Sequence, residues 1–507
     1  MEAQSSRRSD YGRLGLFVYA LAVPVALSIW FLAVRAPLWL DETVSYWTIS
    51  GGFRQIWARS VEVNSFPAYY YILWTTNTVF GGREVVLRIP SILAMFAATY
   101  VFYRCARELF ARDAALVAAM VFIVDDRVVF AAIDVRPYAF ALLTTNLAIF
   151  SFIRWSKTKQ VSYAALLGIT SAGIFYFHYL FGCIVAAFVV AYFIDAYFSD
   201  QWRSPFTEMR QLGVAVGCFA LLMVPLLSRL WYLHQTRNTH VFAGVPEFTD
   251  FLQAIFPGVV PFVFVGVVLV AALTRKLSKP DSQKVRQFIM CVTLALVPTV
   301  ILYGVSVTTP LHIFVDRFEL VAVPGVALCW AWIFTLIDSR LLRVLGCAAV
   351  VTWSAYQNYT SPTASSHRYS WKNALEVADA NAARDGSSLV ICSDLPEADF
   401  WSMPSGPASE SVLFAPLSYY KVRATVVPMP RALNEQAQLI GRRFSSQRAN
   451  GTRFLALAYK KSYPTLDWLE NLNSTTHKFH VLGTFDGITV IEFVPRNTHG
   501  GTSANPQ

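Results

Sequence analysis

Charge is what this chain has least of. Only 15% of its 507 residues are Asp, Glu, Lys or Arg, where a soluble domain carries about 25%. The shortage excludes a soluble globular protein over most of the length. No CxxC spacing and no HExxH motif occurs, so the usual thiol-redox and zinc-protease signatures are missing. There is no disulfide framework either. Cys105, Cys183, Cys218, Cys291, Cys329 and Cys347 lie in or beside apolar runs, and only Cys392 falls beyond residue 357. A formal charge of +10 invites a nucleic-acid reading, but the basic residues form no patch. They sit in short loops between apolar runs, as membrane orientation requires, so no nucleic-acid partner is expected.

What is present is apolar. Hydrophobic residues make up 55% of the chain, concentrated between residues 14 and 357. A spanning helix needs about 20 such residues, and the runs give about 11 spans: 14–34, 84–105, 114–132, 138–155, 161–177, 179–197, 211–231, 251–273, 287–308, 317–337 and 343–357. The first run is longer than the 7–15 residues of a signal-peptide core, and reads as an uncleaved span. With residues 1–13 as a cytoplasmic N-terminus, the inner loops collect Arg104, Arg107 and Arg112, then Arg154, Lys157 and Lys159, then Arg275, Lys276, Lys279, Lys284 and Arg286. The opposite loops carry far fewer cations, which supports this orientation. Residues 66–80 are apolar but short and rich in tyrosine, and are read as lying at the outer face. Residues 43–60 read as a surface helix. The first outer loop, 35–83, is then a set of short helices along the membrane.

Residues 358–496 read as a soluble α/β domain on the outer side. Ser370 suits a helix cap with Trp371, Leu375 and Ala378 on one face. Strands are expected at 388–392, 424–427, 453–458 and 480–493, with a hairpin turn at Asp486-Gly487. Helical patterns near 433–443 and 465–472 alternate with them. Residues 497–507 are expected to be a disordered tail.

Two acidic clusters stand near the ends of apolar runs: Leu38-Trp39-Leu40-Asp41-Glu42 and Asp134-Val135-Arg136-Pro137-Tyr138. Carboxylates at a membrane are costly and usually serve chemistry, transport or ion binding. On the topology above, Asp41, Glu42, Asp134 and Arg136 share the outer face. A third group, Asp125-Asp126-Arg127, reads as a neutralised structural cluster, although Asp126, Phe130 and Asp134 have the spacing to share a helix face. Among the carboxylates, Asp41, Asp126 and Asp134 are possible ligands for a divalent cation such as Mg or Mn, but no spacing demands one.

These motifs, in their order, resemble the GT-C glycosyltransferases, polytopic enzymes that use polyprenyl-phosphate sugars. The Asp41-Glu42 segment resembles their first-loop acidic motif. Asn64-Ser65-Phe66-Pro67-Ala68-Tyr69-Tyr70 resembles the following "hPPLyy" element, and residues 82–91 resemble the block "G-x-x-E-x-x-x-R-x-P-S". Asp134–Tyr138 resembles "eaRPYa", His178-Tyr179 a common "tHY" pair, and Arg317-Phe318 with Val323-Pro324 the "RYl…lP" element. The resemblance covers most of 14–357. It is nearest to the bacterial branch of protein-mannosyltransferase-like and aminoarabinose- or galacturonic-acid-transferase-like enzymes.

The resemblance implies a GT-C fold in a bacterial inner membrane. It implies inverting transfer from a polyprenyl-phosphate sugar to a lipid, cell-envelope glycan or protein acceptor. Asp41 would be the catalytic carboxylate, Glu42 its support or an acceptor contact, and Asp134 a second acid. Arg136 with Tyr138, His178 and Arg317 would meet the donor phosphate. Arg237 and His240, in an outer loop, are either solvated or further phosphate contacts. The chain departs from the pattern at Asp125-Asp126-Arg127, where a Ser-Pro pair is common, and at Phe66, which replaces the first proline of "PP". A transporter or flippase is the competing reading. Against it, the span centres are almost free of charge and no internal repeat is visible.

Overall fold

The long apolar runs become helices, as sequences that must satisfy their own backbone in a membrane do. The computed structural model describes residues 20–198, 205–237, 243–258, 260–360, 370–447 and 452–496. The expected N-terminal segment 1–13 and tail 497–507 lie outside them. Six helices are long and apolar enough to cross a membrane: Glu84–Leu109, Tyr138–Thr158, Tyr179–Tyr197, Glu208–Thr236, Ser282–Thr308 and Asp316–Phe334. Phe248–Ile255 and Val260–Leu273 add a seventh if this pair, bent by 58°, is one span. Ala20–Phe31 and Val161–Phe177 are shorter apolar helices. The protein is a multi-pass membrane protein, but length and composition do not carry the count to eleven.

One expected span, 114–132, is broken. Helix Arg112–Val124 stops at Asp125, whose side chain caps a new short helix, Asp126–Ala132, by accepting the Arg127 backbone N–H. That helix ends before Asp134, so Asp126 and Asp134 do not share a helix face. Asp126 is exposed, whereas Asp134 is fully buried.

By contacts the chain divides into two units. The first comprises Met1–Ala36 and Gly52–His367. In it, Tyr138–Thr158 packs on Glu84–Leu109 and Val161–Phe177, and Ser282–Thr308 packs on Val323–Phe334. Small residues allow these close approaches. A Cβ on Gly325 would stand 2.3 Å from the Ala295 backbone nitrogen. Polar side chains tie the helices where the apolar surface cannot: Asn146 donates to the Ala98 carbonyl (3.0 Å) and the Trp155 indole to Gln211 (2.9 Å). Large apolar side chains such as Phe262, Leu221 and Leu273 point outward, as on a lipid-facing surface.

The second unit joins Pro37–Gly51 to Arg368–Gln507. Its sheet has five strands: β1 (Ser388–Cys392), β2 (Val426–Met429), β3 (Phe454–Tyr459), β4 (His477–Phe485) and β5 (Ile488–Pro495). Their order is β2-β1-β3-β5-β4. β1 runs parallel to both β2 and β3, while β5 is antiparallel to β3 and β4. Buried on both faces, β1 is the apolar run Ser-Leu-Val-Ile-Cys, as parallel strands require. Ser370 caps helix Trp371–Ala382 by accepting the Asn373 N–H. Asp486 and Gly487 both have positive φ (49° and 94°), the turn that a two-residue hairpin needs.

Candidate active site

The first acidic motif opens a helix, Leu40–Ser50, that belongs to the second unit. Specific contacts hold it there. The Leu38 N–H donates to the Tyr420 hydroxyl (2.6 Å), and the Trp47 indole N–H donates to the Glu410 carbonyl (3.0 Å). Tyr46 meets Tyr419 edge-on at 4.8 Å. Gly52, with φ of 85°, separates this helix from the next ones, Ile56–Glu62 and Pro67–Phe80. The two carboxylates of the motif differ. Glu42 is fully buried and accepts the Trp39 backbone N–H at 3.3 Å, capping its own helix as an acid in the first turn can. Asp41 is only half-buried.

In the first unit, the other predicted residues converge. Arg136 precedes the Tyr138–Thr158 helix, and its guanidinium lies 6.0 Å from the centre of the Tyr138 ring. Tyr138 lies 5.3 Å from the ring of His178, which ends helix Val161–Phe177. His178 in turn lies 5.1 Å from Phe318, and the Arg317 guanidinium is 5.4 Å from that same ring. A chain of three rings thus links two cations from three separate segments. Desolvation, with the Arg136 and Arg317 charges beside it, pushes the His178 imidazole down from its ordinary range. The ring is therefore neutral, and its Nδ1 is buried without a hydrogen-bond partner among the described residues.

Asp134 sits in the turn just before Arg136, with its backbone carbonyl accepting the Ser91 hydroxyl at 2.6 Å. Ser91 and Arg88 come from the block resembling "R-x-P-S". Arg88 is wholly buried and donates to the carbonyls of Val34 and Ala36, both at 2.7 Å. It thereby fastens the end of the first apolar helix. Asp125 and Arg127 pair through two contacts (2.9 and 2.8 Å), and Arg127 also reaches Glu319 (3.4 Å). The cluster keeps two of the three residues expected from the sequence, Asp125 and Arg127. Its third member, Glu319, lies 192 residues away from Arg127 and carries no local signal.

Arg237 does not join the ring cluster. It folds back on its own turn, donating to the His234 carbonyl at 2.6 Å. His240 lies outside the described residues. Among the described residues, no group of three or more His, Cys, Asp or Glu side chains could hold a metal ion.

Sequence reasoning passed over Asp394. It lies two residues beyond β1 and is only 7% exposed. An acid just past an apolar parallel strand was the available signal, because the carboxyl ends of such strands are where sites form.

Residues 64–228 match the family described as Dolichyl-phosphate-mannose-protein mannosyltransferase. Among solved structures, the fold resembles ArnT from Cupriavidus metallidurans bound to undecaprenyl phosphate. The identity is 13%, the match covers 96% of this chain and 99% of that one, and the TM-score is 0.52. The chain thus shares the fold of ArnT. The archaeal oligosaccharyltransferase AglB from Archaeoglobus fulgidus, in complex with an inhibitory peptide and a dolichol-phosphate, is a more distant match. It shares 13% identity over 96% of this chain and 74% of its own, with a TM-score of 0.46. No curated protein matches this chain in sequence.

Proposed function

We propose that this protein is a GT-C glycosyltransferase that transfers a sugar from a polyprenyl-phosphate donor to a hydroxyl-bearing lipid, glycan or protein acceptor on the extracytoplasmic side of a bacterial inner membrane. The observation that carries the reading is the convergence of Arg136, Tyr138, His178 and Arg317. Two guanidinium groups set among aromatic rings suit a phosphate attached to an apolar tail. The reaction breaks the bond between the anomeric carbon and the phosphate oxygen, and the phosphate keeps the electron pair. The acceptor oxygen bonds to the same carbon from the opposite face. Asp41 takes the acceptor proton, a contribution of about 10²–10⁴-fold in rate for a well-placed base. Arg136 and Arg317 stabilise the charge that grows on the departing phosphate. A neutral His178 can hydrogen-bond there without adding a third positive charge. The family matched over residues 64–228 is one of mannosyltransferases, and the ArnT structure of like fold holds undecaprenyl phosphate, which supports the class of chemistry.

The geometric requirement is that Asp41 and Asp134 open to one compartment. Single cysteines at 41 and at the half-buried position 136, two residues from Asp134, in a background whose native cysteines are replaced, should both react with a membrane-impermeant maleimide from outside spheroplasts. Reaction from opposite sides overturns the proposal. Movement of a lipid-linked sugar with no covalent product would favour a flippase instead.

A further inference from the structure

Within the spanning helix Glu208–Thr236, residues 211–228 hold no Asp, Glu, Lys or Arg, and Arg210 and Arg229 flank the stretch. At 1.5 Å per residue it is about 27 Å long, close to the roughly 30 Å of a bilayer's hydrocarbon core. Arg229 therefore stands where the hydrocarbon meets the headgroups. Leu221, Val224 and Leu227, in the turns just before it, are exposed apolar side chains, as on a lipid-facing surface.

An arginine at that depth ordinarily snorkels, keeping its head in water. Arg229 does not, being only 6% exposed. It turns instead to the short helix Ile56–Glu62. Its Nη2 donates to the Trp57 carbonyl (2.8 Å) and to the Ser60 hydroxyl (2.6 Å), and the guanidinium lies 4.6 Å from the centre of the Trp57 ring. All of these partners are neutral. Among the described residues no carboxylate pairs with Arg229, and neither Nε nor Nη1 has a hydrogen-bond acceptor. The buried Arg127 of the same unit, by contrast, is met by Asp125 and Glu319. A buried cation without its anion is costly, so the corner between the two helices lacks a negative partner. Its rim is aromatic, with Trp57, Phe53 and Trp231 all exposed, as side chains at a membrane–water interface are.

We propose that Arg229, held by Trp57 and Ser60, binds the phosphate of a net-negative glycerophospholipid of the surrounding bilayer. The phosphate supplies the missing counter-charge. The unused Nε and Nη1 donors suit its oxygens, because a guanidinium presents a planar fork of N–H groups that matches phosphate. A headgroup with its own cation fits less well, since Arg237 adds a second positive charge two turns further along the chain. The bound lipid bridges the end of the span to the helix Ile56–Glu62 of the first outer loop. The site uses none of the residues assigned above to the sugar donor, so it stands whether or not the transfer reaction does.

The test is thermal unfolding of the purified full chain in detergent, titrated with phosphatidylglycerol or with phosphatidylcholine. Phosphatidylglycerol should raise the wild-type midpoint, half-saturating at a mole fraction at least about 10-fold lower than phosphatidylcholine needs. Arg229→Gln keeps a donor for Trp57 and Ser60 but loses the charge, and should need about 10-fold more phosphatidylglycerol, as the loss of a charge-assisted hydrogen bond implies. A second measurement needs no variant. Phosphatidylglycerol, and not phosphatidylcholine, should slow hydrogen exchange in Ile56–Glu62 and Leu227–Thr236 of the wild type. Equal response to the two lipids, an unchanged requirement in Arg229→Gln, or no protection of those two helices overturns the proposal. So does an equal shift from inorganic phosphate at the same concentration, which would make the ligand free phosphate. Displacement of phosphatidylglycerol by an equimolar polyprenyl phosphate also overturns it, and would give the corner to the sugar carrier.

Discussion

Replacing Arg127 by methionine should be among the most damaging single changes in the membrane unit. The guanidinium makes a two-point pair with Asp125, its Nε 2.9 Å from one oxygen and its Nη2 2.8 Å from the other. Nη1 donates to the Ala254 carbonyl (3.1 Å) and faces Glu319 at 3.4 Å. The three side chains are only 3–8% exposed. Removing the cation leaves two carboxylates buried without their counter-ion, and breaking such a pair costs about 3–5 kcal/mol. Taking the charge away altogether should cost less, because desolvation of the ions nearly cancels their attraction. The triple variant Asp125→Asn, Arg127→Met, Glu319→Gln should therefore recover more than half of the loss. The assay is denaturant titration of the detergent-solubilised full chain, followed by tryptophan fluorescence. A loss below about 0.5 kcal/mol for Arg127→Met, the range of an ordinary surface change, would refute the reasoning. So would a triple variant no more stable than the single one.

Other outcomes follow from the packing and from the second unit. Gly325→Ala should cost about 1–3 kcal/mol by overpacking, because its Cβ would meet the Ala295 and Leu294 backbone at 2.3–2.4 Å. Gly304→Ala, with nothing within 4 Å, should be neutral or stabilise by up to about 1 kcal/mol; denaturant titration of both variants checks the contrast. Tyr420→Phe removes the acceptor of the Leu38 N–H, so it should cost about 0.5–1.5 kcal/mol and speed hydrogen exchange in the Leu40–Ser50 helix. Asp394 makes stability pH-dependent. Its carboxyl is raised from 3.8 to about 7 on folding, so between those values the folded state holds the extra proton and stability falls as pH rises. At about 1.4 kcal/mol per unit, the loss across that window is of order 4 kcal/mol. Asp394→Asn should flatten it when exchange at the β1 amides is followed from pH 4 to 8.

Much of this architecture could be read from local pattern. The C-terminal mixed sheet was legible because its strands are short apolar runs bounded by turn residues. Asp486-Gly487 and the Ser370 cap are local devices whose geometry the residue types dictate. The broken span at Asp125 was harder. The apolar pattern runs through it, and only the capping bond from Asp125 to the Arg127 N–H ends one helix and starts another. Arg136, His178 and Arg317 could each be named from short motifs, but the ring chain joining them depends on three helix ends meeting. Asp394 and Glu319 were hidden for the same reason, since each is defined by what packs on it from far along the chain. The grouping of Pro37–Gly51 with the second unit is likewise a matter of partners, Tyr419, Tyr420 and Glu410, that lie more than 360 residues away.

The central claim is that Asp41 is the base of a glycosyl transfer from a lipid phosphate. Purified wild type and Asp41→Asn should be compared across a panel of radiolabelled polyprenyl-phosphate sugars with cell-envelope lipids as acceptors. The wild type should form a covalent glycosylated product from at least one donor, and Asp41→Asn, folded equally well, should form it at least about 100-fold more slowly. Equal rates in the two proteins, or consumption of no donor by the wild type, would contradict the account.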